Sequence, residues 1–202
     1  MSQYPHARFL TSAAAARQFP PDVGAEIALA GRSNAGKSSA LNAISARRSL
    51  ARTGKTPGQT RLFNFFEFEP GLRIVDLPGY GYAAGAHEEI GRWNELAARL
   101  RERRSLVGMM LIVDARRGLA DADLGMIEYA DPLRRAVHVL LGKSDKLSRG
   151  AAASALRAAE RQLGDRATVS LFSALKRQGL DEARAALAMM CSRATQKKAP
   201  EV

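Results

Sequence analysis

Gly31-Arg-Ser-Asn-Ala-Gly-Lys-Ser-Ser39 fits the spacing G-x-x-x-x-G-K-[ST]. It follows Glu26-Ile-Ala-Leu-Ala30, a short apolar run of strand length, and it opens a helical pattern over 37–47. Glycines at 31 and 36 let the backbone curl so that its N–H groups point inward at a phosphate chain. Lys37 neutralises the outer phosphates and Ser38 supplies a hydroxyl to magnesium. The positive end of the following helix faces the same anion. Arg32, Ser33, Asn34, Ala35 and Ser39 complete the cradle. A strand, a tight glycine turn and a helix in this order predict a nucleoside triphosphate site.

Along the chain, apolar runs alternate with longer amphipathic stretches, the pattern of a mostly parallel sheet with helices on both faces. The strand candidates are 26–30, 62–68, 72–76, 107–114, 136–142 and 168–172; the helix candidates are 37–47, 86–104, 121–130, 148–163 and 179–194. Phe63, Phe65, Phe66 and Phe68 precede the turn signal Glu69-Pro-Gly71, so 62–68 and 72–76 are expected to form an antiparallel hairpin. The expectation is a three-layer α/β fold: a mostly parallel six-stranded sheet, one antiparallel edge strand, and helices on both faces. Residues 1–25 read as an N-terminal arm packed on the domain, 26–192 as the nucleotide-binding domain, and 193–202 as a basic tail.

The strand Leu72-Arg-Ile-Val-Asp76 runs into Leu77, Pro78 and Gly79. An acid at a strand's carboxyl end can hold a magnesium-bound water. A glycine three residues on can give its N–H to the terminal phosphate and flip when that phosphate leaves. Between the two motifs lies Thr53-Gly-Lys-Thr-Pro-Gly-Gln-Thr60-Arg, a loop expected to be ordered by a bound triphosphate. Thr60 is the expected second magnesium ligand, with Thr56 as the alternate, and Gly58, Gln59, Arg61 and Leu62 are placed at the nucleotide beside it.

Two later segments complete the constellation. The fifth strand candidate runs into Gly142, Lys143, Ser144 and Asp145, and the sixth into Phe172, Ser173 and Ala174. A carboxylate at 145 can accept from both N1–H and the exocyclic amine of guanine, donors that adenine does not offer together. The stem of Lys143 can lie over the ring, and the Ala174 N–H can reach guanine O6.

The chain has 202 residues and carries 31 Lys and Arg against 20 Asp and Glu, a formal charge of +11 that favours a polyanionic partner, nucleic acid first. Arg47, Arg48, Arg52, Lys55 and Arg61 fall in a stretch without acids. A single cysteine, Cys191, excludes an intramolecular disulfide framework and fits a reducing compartment. No apolar run approaches the ~20 residues of a membrane span, and Val107 to Val113 is of strand length.

With these motifs in order the sequence resembles the translation-factor class of P-loop GTPases, and within it the EngB family (YihA/YsxC) of bacterial ribosome-assembly GTPases. The resemblance covers roughly residues 7–190. It is carried by Glu26 to Ser39, Lys55-Thr-Pro-Gly-Gln-Thr60, and Asp76-Leu-Pro-Gly-Tyr-Gly-Tyr82. It implies a Ras-like fold and a cytoplasmic GTPase; a domain with no evident oligomer seam is expected to be a monomer. It implies cycling of GTP and GDP, a partner in the rRNA and proteins of the large ribosomal subunit, and a part in division and septation. Lys37, Asn34, Thr60 and Gly79 are the residues expected at the hydrolytic step, and Ser38, Thr60 and, through water, Asp76 those expected at Mg2+.

Two departures qualify this. Gly142 stands where the superfamily usually has Asn or Thr, so one side-chain hydrogen bond from the base loop to the phosphate loop is lost, worth roughly 0.5–1.5 kcal/mol. Tyr80 stands where Ras-like enzymes place a water-orienting Gln, so intrinsic hydrolysis is expected to be slow. Resemblance to potassium-activated relatives suggests that Asn34 helps hold K+ beside the phosphates. An RNA-binding module with a structural, non-hydrolysing nucleotide site is the rival reading.

Other residues are expected to be structural. Trp93 and Met109, Met110, Met189 and Met190 read as core, and Arg92, Arg99, Arg101, Arg103 and Arg104 as a solvated helix face. Asp114 reads as a turn or cap residue before Arg116-Arg-Gly118. His6, His87 and His138 have no metal-ligand spacing.

Overall fold

Strands made of Ile, Leu, Val and Met without a polar alternation have to be covered on both faces, and this requirement builds the molecule. The computed structural model describes residues 4–51, 62–80, 87–130 and 135–196. In chain order the elements are β1 (Arg8–Ala13), β2 (Ala25–Gly31), α1 (Lys37–Ser45), β3 (Phe63–Glu69), β4 (Leu72–Asp76), α2 (His87–Arg101), β5 (Leu106–Asp114), α3 (Asp121–Ala130), β6 (Ala136–Gly142), α4 (Arg149–Leu163), β7 (Thr168–Leu171) and α5 (Leu180–Gln196). One seven-stranded sheet has the order β1-β3-β4-β2-β5-β6-β7, with β2 at its centre. It pairs in parallel with β4 and β5, as β6 does with β5 and β7, while β3 runs antiparallel to β4 through the expected hairpin.

The period of two sorts the core between the faces. Phe63, Phe65, Met109, Leu111, Val139 and Leu141 pack with Leu96, Leu100, Ile127 and Leu163 of α2, α3 and α4. Ile27, Leu29, Phe66, Phe68, Met110, Ile112 and Leu140 pack with Leu41, Ile44, Leu187 and Met190 of α1 and α5. Trp93 is half-buried on the first layer, and Met109, Met110 and Met190 are buried as expected. Met189 is not core: it stands 48% exposed, because α5 turns Leu187 and Met190 inward and position 189 outward. Among the described residues no helix is long and apolar enough to cross a membrane.

The sheet has one strand more than the six read from the sequence. The addition is β1, inside the segment read as an arm, and it displaces 63–69 from the edge it was expected to occupy. β1 pairs antiparallel with β3 from Arg8↔Glu67 to Ala13↔Phe63. Its residues are mostly half-exposed, so it lacks the buried run that marks the inner strands. It is held by cross-strand pairs: Arg8 to Glu67 at 2.6 Å, Ser12 Oγ donating to Asn64 Oδ1 at 2.6 Å, and Phe9 edge-on to Phe66 at 5.6 Å. Phe19 then stacks on Phe63 and packs at a tilt against Phe65.

The end of the sheet away from the strand termini expected to carry the chemistry is closed by a buried ion cluster. Glu26 is fully buried; its Oε1 accepts from Arg73 Nε at 2.8 Å and Arg103 Nη2 at 2.9 Å, and its Oε2 from Arg103 Nε at 2.6 Å and Ser105 Oγ at 2.8 Å. Arg73 and Arg103 also donate to the backbone carbonyls of Pro21 and Val23, and of Pro20 and Pro21, locking the connection from β1 to β2. A buried carboxylate has to be paired, and that need takes Arg103, with its side chain only 10% exposed, out of the solvated face on which it was expected. The helix itself stops at Arg101.

Candidate functional site

β2 leaves the sheet centre at Gly31 and turns into α1 through Arg32 to Gly36. The turn is closed by Ala35 N–H donating to the Arg32 carbonyl at 3.0 Å. Gly36 caps the helix with φ 112°, a conformation L side chains rarely adopt, which accounts for glycine at that point of the motif. Lys37 begins α1, with Ser38 and Ser39 in its first turn. The Lys37 ammonium donates to the Gly31 carbonyl at 3.2 Å. Burial lowers its pKa, and the nearby Asp76 carboxylate opposes that shift.

Asp76 ends β4 beside it, 3% exposed. Burial pushes its carboxyl up to about 6 against the pull of Lys37. Its Oδ1 has no hydrogen-bond partner among the described residues. A buried carboxylate oxygen left open next to a buried ammonium is costly unless something else binds there. Acceptor oxygens at Asp76 and Ser38 are the hard donors magnesium takes, so this part of the donor set fits that ion. Thr60, Thr56, Gly58, Gln59 and Arg61 lie outside the described residues. Leu62, just inside them, stands exposed before β3.

Leu77 N–H donates to the Leu29 carbonyl at 3.0 Å, carrying the chain from β4 alongside the phosphate loop through Pro78 to Gly79. A Cβ on Gly79 would stand 2.8 Å from Ser33 Cα, 2.9 Å from Ser33 N and 3.1 Å from Lys37 Nζ. The glycine therefore touches the loop where the terminal phosphate was expected. Ser33 N–H donates to the Tyr80 carbonyl at 3.2 Å, and Tyr80 pairs as a bridge with Arg32. The Tyr80 hydroxyl turns away and donates to Asp123 Oδ1 of α3 at 2.6 Å; burial and that carboxylate hold it protonated far above the ordinary tyrosine range. Asp123 was missed in the sequence. Its one legible signal is its place in the acidic first turn of α3, where its Oδ2 accepts from Ala120 N–H at 2.9 Å.

On the far side of β2, Gly142 ends β6 and Lys143 turns with φ 60° into a 3-10 turn over Ser144–Lys146. The 142–145 and 172–174 segments come together as expected. Ser173 Oγ donates to Asp145 Oδ1 at 2.6 Å, and Ser144 N–H donates to the Phe172 carbonyl at 3.2 Å. Gln178, unmarked in the sequence, braces them by exchanging backbone bonds with Ser173 at 3.0 and 3.1 Å. Ala174 is half-buried beside the second core layer. Lys143 Nζ donates to the Asn34 carbonyl at 2.6 Å, so the base loop does meet the phosphate loop. It also donates at 3.0 Å to Asp114 Oδ2, a contact the turn reading of Asp114 did not include. The turn itself is present, with the Asp114 carbonyl accepting from Arg117 N–H at 2.9 Å and Gly118 N–H at 3.2 Å. The Asn34 backbone stands at φ 62°.

Every one of these segments lies at the carboxyl end of a strand, on both sides of β2, where an open α/β sheet binds its ligand. A phosphate loop and a guanine-type loop joined across such an edge define the class as P-loop GTPases, and a family described as 50S ribosome-binding GTPase matches residues 26–143, more than half of the chain. The chain is 48% identical over 193 residues, 94% of each protein, to a probable GTP-binding protein EngB of Coxiella burnetii. It belongs to the EngB family of GTP-binding proteins and is a GTPase. The crystal structure of a probable GTP-binding protein engB superposes with a TM-score of 0.67 at 22% identity, over 84% of this chain and all of that one. Era in complex with MgGDPNP and a 16S ribosomal RNA fragment superposes with a TM-score of 0.63 at 21% identity, over 82% of this chain and 56% of that one.

Proposed function

We propose that this chain is a GTP-dependent switch acting in assembly of the large ribosomal subunit, and that it meets the particle through RNA. The nucleotide part is supported by the Lys143 ammonium bonding the Asn34 carbonyl of the phosphate loop while the neighbouring Asp145 is bonded by Ser173, so the 142–145, 172–174 and 31–39 segments lie together at the sheet edge. In this reading Asp145 accepts from the guanine edge and the Lys143 stem covers the ring. Lys37 and the phosphate-loop amides not engaged within the protein hold the phosphates, and Gly79 gives its N–H to the terminal one. Ser38, Thr60 and, through water, Asp76 would hold magnesium, which when bound supplies positive charge at the outer phosphates. Tyr80, engaged with Asp123, orients no attacking water, so unassisted hydrolysis is slow. Asn34 takes part in a potassium site beside the phosphates, which would make turnover several-fold faster in potassium than in sodium buffer.

The ribosomal part is supported by the description of the matched family and by the +11 charge. The Era complex offers a precedent for RNA on this fold. Arg47 and Arg48 are exposed beyond α1, whereas Arg103 is spent on Glu26. The switch works in the cytoplasm as a monomer, and its loss disturbs division and septation as a consequence of failed assembly.

The test is sedimentation of the protein with large subunits in GTP analogue and in GDP across a salt series. Binding favoured by the analogue is expected, and reversing the charges of Arg47 and Arg48 should flatten the salt slope by about two phosphate contacts. Equal binding in both nucleotides, or none, would contradict the reading.

A further inference from the structure

Gly142 has no side chain with which to reach the phosphate loop, yet the two loops are tied. The tie runs through Lys143, whose ammonium lies 2.6 Å from the Asn34 carbonyl and 3.0 Å from Asp114 Oδ2. Asp114 is the last residue of β5, opposite Gly142 in the β5–β6 register. On its other side β5 pairs with β2, Ile112 lying opposite Gly31 where the phosphate loop begins. The carboxylate thus stands between the two loops.

We propose that Asp114, clamped by Arg116, is the positioning residue of the guanine site: it fixes the Lys143 ammonium and so carries the link between base loop and phosphate loop that a side chain at 142 would otherwise make. The proposal rests on the reading of 142–145 as the base site.

Both carboxylate oxygens are filled. Oδ1 accepts from Arg116 N–H at 3.1 Å and Nε at 2.9 Å; Oδ2 accepts from Arg116 Nη2 at 2.7 Å and from Lys143. A planar guanidinium bound through two nitrogens fixes the plane of a carboxylate as well as its charge. Arg116 and Lys143 together hold the Asp114 carboxyl well below the usual range, so it stays ionised. Its side chain is 9% exposed while those of Lys143 and Arg116 are 33% and 47% exposed, so the anion is the fixed centre and the cations reach to it. With its ammonium held by two acceptors, the lysine stem is laid out before a base arrives, and less of its rotamer freedom is lost on binding.

Space does not dictate the glycine. A Cβ at 142 would stand 3.5 Å from Ile112 Cγ2 and the Val113 carbonyl and 3.6 Å from the Ala35 carbonyl, all ordinary contacts. An Asn can therefore be seated at 142 next to an acceptor of the phosphate loop, which provides a rescue.

The experiment measures release of fluorescent GDP in magnesium from Asp114→Asn, Arg116→Ala, Lys143→Met and the Asp114→Asn/Lys143→Met pair, each with and without Gly142→Asn. Asp114→Asn should release GDP about tenfold faster, and Arg116→Ala, a change at an exposed side chain that leaves the fold intact, should follow in the same direction. The pair should be no worse than Lys143→Met alone, Gly142→Asn should recover most of the loss in Asp114→Asn, and preference for GDP over XDP should stay at the wild-type level throughout. Release within twofold of wild type in Asp114→Asn while Lys143→Met is impaired would overturn this inference alone, as would independent, multiplying effects in the pair. No effect of Lys143→Met would bring down the base-site reading and the inference with it.

Discussion

Asp76 concentrates the chemistry of the site in one side chain. It is buried beside Lys37, with one oxygen lacking a partner among the described residues, and in the proposed function that oxygen serves a magnesium-bound water. Because burial raises its folded pKa to about 6 from an ordinary 3.8, the folded state is relatively favoured at low pH, and that advantage is lost as pH rises through 6. At pH 7.5 the full cost is present, about 1–3 kcal/mol. Asp76→Asn should therefore make the nucleotide-free, magnesium-free protein more stable in urea at pH 7.5 by roughly that amount, while weakening magnesium-dependent GTP hydrolysis by tenfold or more. A less stable Asp76→Asn variant would show that the carboxylate is structural. At this scale the motif residues were legible because their spacing alone implies phosphate chemistry. Asp114, Asp123, Arg103 and Gln178 were not, since each acquires its partner only when segments distant in sequence meet.

Among elements, the phosphate loop and the Pro78 to Tyr80 segment behave as one unit: Gly79 abuts Ser33, and the Ser33 N–H is held by the Tyr80 carbonyl. A methyl at 79 meets backbone rather than a flexible side chain, so one segment has to move. Gly79→Ala is expected to lower GTP turnover at least tenfold and to leave GDP affinity within a few-fold; equal losses in both would mean that Gly79 only shapes the loop. The β6–β7 pair offers a pH-dependent counterpart. His138 is 6% exposed between Thr168 Oγ1 at 2.7 Å and Ser170 Oγ at 3.0 Å, and burial pushes it down to about 4. A base whose folded pKa lies below its unfolded 6.5 stabilises the fold fully above 6.5 and loses that contribution as pH falls toward 4, up to about 3 kcal/mol. His138→Gln should flatten the urea stability profile between pH 6.5 and 4; an unchanged slope would place the titration elsewhere. The inner strands could be read from their apolar runs, and the hairpin from Glu69-Pro-Gly71. β1 could not, because an edge strand that is mostly half-exposed has a weak pattern and becomes a strand only through the free edge of β3.

Across the whole molecule, one end of the sheet is fixed by the Glu26 ion cluster and the other gathers the nucleotide segments. This division of labour follows from parallel strands, whose carboxyl ends all open on the same side. Motif order carried the GTPase class, while the net charge pointed only to a polyanionic partner; Arg47 and Arg48 are exposed, with Arg47 Nη1 donating to the Pro5 carbonyl at 2.8 Å. The helix arginines could not be ranked from sequence, because a solvated arginine and one drawn onto a buried glutamate have the same local pattern.

The proposed GTP switch depends on guanine recognition through Asp145. Unlabelled GDP, ADP and XDP would be competed against fluorescent GDP in magnesium, on the wild-type protein and on Asp145→Asn. Strong preference for GDP in the wild type, shifted toward XDP in the variant, is the predicted result. Equal competition by ADP, or preference for GDP undisturbed in the variant, would contradict it.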